Sequence, residues 1–203
     1  MFGFGAEEMR VLKALNTPAK IQDFLQTLRT NFDYDTDTCM SPRMVLQMRR
    51  AHCIEGAMLA AAALRIHGHK PLVVDMDAAA FDECHVVAVF RQNGYWGAIS
   101  KSNHAVLRYR EPVYKSIREL VMSYFHEYFD NAGRRSLRSY SLPVNLSCFD
   151  SRGWMTAEKD IWYIPHYLAK IPHVPIVTRS HIARFRKPDP IEIQVGKIVE
   201  WTR

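Results

Sequence analysis

The sequence predicts an α+β fold in which a buried, cysteine-headed helix packs on an antiparallel sheet. Three observations carry this. The segment from Cys53 to Ile66 is alanine-rich and apolar nearly all round, as a buried helix is, and it stops at His67-Gly68. The β-branched stretch His85–Phe90 is joined to Tyr95–Ser100 by Asn93-Gly94, a strong type I′ hairpin signal. Helix, strand and hairpin then follow one another without βαβ alternation, which favours an antiparallel sheet.

The elements can be justified in chain order. From Thr17 to Thr30, Ile21, Phe24, Leu25 and Leu28 recur at helical spacing behind a threonine cap and Pro18. Residues 31–40 are aspartate-rich and without period, hence a loop. Ser41-Pro42 opens a short helix carrying Met44, Leu46 and Met48. Cys53 falls in the first turn of the alanine-rich helix, and Pro71–Met76 reads as a strand after it. Downstream, Pro112–Asp130 sets Val113, Ile117, Leu120, Val121, Tyr124 and Tyr128 on one face, which predicts an amphipathic helix. Residues 134–155 read as loop, and Thr156–Lys170 as a helix shortened or kinked by Pro165. The tail reads as extended segments, one of them Ile191–Val199.

No repeat, low-complexity tract or Gly/Ser linker interrupts the 203 residues, so a single domain over 1–203 is expected, with its core at about 40–105 and helical and extended additions after it. With 48% hydrophobic and 24% charged residues the composition is globular, which excludes wholesale disorder. Ala57–Leu64, the longest apolar run, is too short to cross a bilayer of about 30 Å. The opening residues lack a basic region followed by an apolar one, so a cytoplasmic domain is expected, with Cys39, Cys53, Cys84 and Cys148 as thiols. The net charge of +6 is spread over separate small groups, among them Arg134, Arg135 and Arg138. No nucleic-acid motif accompanies it, so nucleic acid is not the expected partner.

The chemistry centres on Cys53 and His85. A thiol attacks only as thiolate, and a helix N-terminus lowers its pKa because unpaired backbone N–H groups favour the anion. Cys53 stands at such a terminus, and His85 opens a strand that a packed helix can bring beside it. By strand alternation, the neighbouring Cys84 points the other way and packs. His67, His69, Cys84 and His85 lack the spacing of a zinc site, so no metal and no cofactor is expected.

The string R-x-x-C-x-E-x-A-x-x-x-A-x-x-L-R-x-x-G from Arg50 to Gly68, with His-Val-Val at 85–87 and Gly-Tyr-Trp at 94–96, resembles the transglutaminase-like, papain-like superfamily of cysteine enzymes. The resemblance implies Cys53 as nucleophile, His85 as base and a third polar group that orients the imidazole. The family's aspartate follows the tryptophan in a string like W-x-x-x-D, and here Ser100 holds that place. Asn103, an amide of the kind papain-type sites use, is favoured slightly over Ser100 for the role. The backbone N–H of Cys53 would stabilise the oxyanion, helped by Gln47 at the papain-like offset of six residues.

The expected function is thiol-dependent acyl transfer on amide bonds, as a peptidase, amidase or transglutaminase-like enzyme with a protein or peptide substrate. The alternatives are a catalytically inactive binding domain of the same fold, since a serine cannot stabilise imidazolium as a carboxylate does, and a basic nucleic-acid-associated module.

Overall fold

A computed structural model of the chain describes residues 2–32 and 37–202. Residues 33–36 of the expected 31–40 loop lie outside them. The first helix, α1 (Ala6–Ala14), has no counterpart in the sequence pattern. Thr17 and Ser41 then cap α2 (Pro18–Gln26) and α3 (Pro42–Met48), their hydroxyls accepting from the N–H of Lys20 at 3.2 Å and Met44 at 3.3 Å. Between and after these helices, β1 (Arg29–Thr30) pairs in parallel with β2 (Arg50–Ala51), which fixes the chain just before α4 (Cys53–Ile66). Every residue of α4 from Ile54 to Leu64 is buried. Its alanines let the helix backbone lie close to the sheet, where larger side chains would overpack at about 1–3 kcal/mol each.

The sheet comprises β3 (Leu72–Ala78), β4 (His85–Gln92), β5 (Tyr95–Ile99), β6 (Arg110–Tyr114), β7 (Leu137–Ser141), β8 (Val144–Asn145) and β9 (His173–Pro175). Its order is β6-β5-β4-β3-β7-β9, with β8 also pairing β3, and all its pairings are antiparallel. Asn93 and Gly94 both take positive φ at the β4–β5 turn, as a type I′ hairpin requires. Alternate residues feed two cores. Val73, Val86, Ala88, Phe90 and Ile99 pack with α4, while Val74, Met76, Val87, Val89 and Ala98 pack with Leu120, Tyr124 and Tyr128. The chain is therefore mixed α+β with a seven-stranded antiparallel sheet. No helix among the described residues is long and apolar enough to cross a membrane.

Four sequence expectations give way. The helix expected over 112–130 is cut to α5 (Ile117–Met122), capped by Ser116 and followed by turns. Its first part is edge strand β6, where Pro112 is tolerated and Val113 stays exposed. Part of the 134–155 loop is strand β7, which docks Tyr140 opposite Met76 on the central strand. After a 3₁₀ helix at Leu146–Arg152, the expected 156–170 helix contracts to α6 (Tyr163–Leu168), whose first turn holds Pro165. Beyond α7 (Arg179–Ile182), the supposedly extended 191–199 is mostly α8 (Pro190–Gly196). There Pro190 sits at the first position, and Glu192 accepts from the Asp189 N–H at 2.6 Å.

Candidate active site

Cys53 is the first residue of α4, so its N–H and that of Ile54 have no acceptor within the helix. The side chain is half-buried and lines a cavity of about 880 Å³ together with His52, His85, Asn31 and Lys101. His85, the first residue of β4, is buried, and its Nε2 lies 2.8 Å from Ser100 Oγ. The Ser100 hydroxyl donates to the Leu107 carbonyl at 2.6 Å, so its oxygen accepts from His85 Nε2–H. That leaves Nδ1 as the ring nitrogen available to the Cys53 sulfur. Ser100 is itself locked, because the Gln22 amide of α2 bonds both its N–H and its carbonyl at 2.9 Å.

A second imidazole adjoins the thiol: His52, immediately before α4, favours the thiolate of Cys53. Its Nε2 lies 3.0 Å from the Thr38 carbonyl and 3.5 Å from Glu55 Oε1. Both neighbours are acceptors, so Nε2 carries a proton. Glu55 is fully buried and accepts from the N–H of His52 at 3.0 Å and of Met40 at 2.8 Å, from Thr38 Oγ1 at 2.9 Å and from Asn31 Nδ2 at 3.1 Å. The carboxylate thus ties the segment before α3 to the first turn of α4.

The electrostatics follow. Burial opposes ionisation of Cys53, but the hydrogen bonds and charges of His52 and His85 outweigh it and hold the thiol well below its ordinary value. Burial likewise opposes charge on His52, yet Cys53, Glu55 and the Thr38 carbonyl raise it to about 9. The other cysteines move the opposite way. Burial and neighbouring carboxylates push Cys39 to about 12 and Cys84 to about 11, and burial raises Cys148.

Several expected positions change. Asn103 lines the cavity but does not meet His85. Its amide donates to the Trp201 carbonyl and accepts from the Trp201 N–H, both at 3.0 Å, so it anchors the C-terminal segment instead. Gln47 is exposed on α3 beside Glu8, outside the cavity lining, because the chain turns at Arg49 (φ 55°) before reaching the site. Cys84 is exposed, its thiol 3.6 Å from Asp77 Oδ1, rather than packed. His67 bonds the Leu12 carbonyl, and the described residues contain no group of three or more His, Cys, Asp or Glu arranged to hold a metal. His52 and Glu55 are what sequence reasoning missed. The available signal was the three-residue spacing of a cap and a glutamate that reaches back to it.

Lys101 adjoins the site. Its stem crosses the first turn of α4 so closely that a Cβ on Gly56 would collide with it. Its ammonium is buried with no hydrogen-bond partner, and burial together with Arg108, opposed by Glu200, lowers its pKa. Lys101→Met keeps the stem and removes a buried amine that makes no hydrogen bond, so Tm is expected to rise by about 2–4 °C in a thermal melt, roughly 1 kcal/mol. A lower Tm would mean that the ammonium is stabilising as it stands.

No family model matches the chain, and no curated protein matches it.

Proposed function

We propose that the chain is a thiol-dependent acyl-transfer enzyme of the transglutaminase-like type, acting on amide bonds of a protein or peptide substrate. One observation carries the reading: a helix-heading thiol, held below its ordinary pKa by two imidazoles, opens into a cavity. In the reaction the Cys53 thiol proton passes to His85 Nδ1, and the thiolate so formed attacks the substrate carbonyl, forming a carbon–sulfur bond. The N–H groups of Cys53 and Ile54 face the developing oxyanion. The tetrahedral intermediate collapses as His85 gives a proton to the departing amine, leaving a thioester on Cys53. Water or an acceptor amine then attacks the thioester while His85 Nδ1 takes the proton, and the thiolate leaves. Ser100 holds the ring in the tautomer this needs.

The test is selective alkylation. With iodoacetamide at neutral pH, Cys53 should react at least tenfold faster than Cys148, since at that pH only a depressed thiol is largely thiolate. The sign is fixed by the shifts: Cys53 is lowered, while Cys39, Cys84 and Cys148 are raised. Peptide mapping of the label reads the result. Equal labelling of Cys53 and Cys148 would sink the nucleophile reading. The orienting hydroxyl at Ser100, where the family keeps a carboxylate, favours a second reading, a binding domain without turnover. Rapid labelling of Cys53 with no acyl-enzyme formed on any peptide amide would establish it.

A further inference from the structure

The Cys53 sulfur has two imidazole neighbours, and they are not equivalent. His85 is backed by a hydroxyl that accepts one hydrogen bond. His52 is backed by a fully buried carboxylate and a backbone carbonyl, so Glu55 holds a paired imidazole next to the Cys53 thiol at the start of one helix. We infer that His52, braced by Glu55, is a standing cation for the Cys53 thiolate and does not carry protons in turnover, whereas His85 is the proton carrier. This rests on Cys53 as nucleophile and assigns the residue that keeps it ionised.

The arrangement supports the division in three ways. His52 Nε2–H is committed to Thr38 and Glu55, so only Nδ1 can address the sulfur. Glu55 is fixed by donors from three segments and cannot swing away as the charge on sulfur changes. A permanent positive neighbour also makes the sulfur a better leaving group when the thioester is resolved, because the departing thiolate is stabilised where it forms. An imidazole that shares that duty with His52 depends less on a carboxylate of its own, and this gives a physical reason why the Ser100 hydroxyl suffices behind His85.

The groups facing this pair can be named. Glu55 and Cys53 come from α4, the Thr38 carbonyl and the Cys39 thiol from the segment before α3, and His85 from β4. Asp75 on β3 and the Tyr128 hydroxyl are near enough to be coupled to the Cys53 charge. Burial raises Cys39, Tyr128 and the Asp75 carboxyl, which His173 of β9 faces at 3.2 Å, so Glu55 is the carboxylate in direct contact with His52.

The pH profile of iodoacetamide alkylation at Cys53 separates the two histidines. His52→Gln is expected to move the thiolate limb upward and cut the neutral-pH rate at least tenfold, one pKa unit being a factor of ten in thiolate. Glu55→Gln removes the brace and should lower the alkaline transition from about 9. His85→Ala should lower the neutral-pH rate less than His52→Gln does, while losing amide turnover. The opposite pattern, with His85→Ala abolishing fast alkylation and His52→Gln within about threefold of wild type, overturns the inference. If wild-type Cys53 is itself unreactive, the nucleophile reading fails first, and this assignment with it. Should His52→Gln not fold, the comparison of Glu55→Gln with His85→Ala decides, because only a charge role shifts the alkaline transition.

Discussion

Cys53→Ala is expected to lower acyl transfer on a peptide amide by about 10⁵- to 10⁶-fold, to the level that binding and the oxyanion donors alone provide. His85→Ala should come close to it, and the double variant should be no worse than either single one, because nucleophile and proton carrier act as a unit. Ser100→Ala removes one neutral hydrogen bond to the ring and should cost only about tenfold, in line with roughly 1–1.5 kcal/mol. The measurement is single-turnover release of a fluorogenic amine from a peptide amide, using variants matched by circular dichroism. A Cys53→Ala protein that keeps more than a hundredth of the activity would remove the thiol from the mechanism.

The largest effect on stability is expected at Glu55→Ala. The substitution removes one acceptor shared by four donors: the N–H groups of His52 and Met40, the Thr38 hydroxyl and the Asn31 amide. It also leaves the His52 cation half-buried without its carboxylate. Breaking a buried charged pair costs about 3–5 kcal/mol, which lowers Tm by about 6–20 °C in a domain of this size. Denaturant titration should show the midpoint falling at unchanged slope, since a structural loss at one site does not change the surface exposed on unfolding. A loss below about 1 kcal/mol would mean that water satisfies these donors and that Glu55 is no keystone.

Local chemistry made much of the fold readable in advance. Thr17 and Ser41 cap helices because their hydroxyls satisfy N–H groups three residues on, and Pro18 and Pro42 fit the first position. Asn93 and Gly94 close a hairpin because both accept positive φ. These signals act within a few residues, and they brought Cys53 to a helix start and His85 to a strand start with no knowledge of the rest of the chain.

What the sequence by itself determined, then, was that a thiol heads a buried helix ahead of an antiparallel hairpin opened by a histidine. Tertiary structure alone decided which polar groups meet them. Ser100 and Asn103 both follow the hairpin, but Gln22, 78 residues away, locks Ser100 under the His85 ring, and Trp201, 98 residues away, captures Asn103. The extents of β6, β7 and α8 were settled the same way, by pairing partners and caps that override weak periodicity. Glu55 looks in the sequence like one more acid on a helix. It becomes the brace of His52 because residues 31 and 38–40 fold over the first turn of α4 and bury its carboxylate among donors. Caps and turns are set by groups a few residues apart, whereas the surroundings of a buried charge depend on segments that only the closed fold brings together.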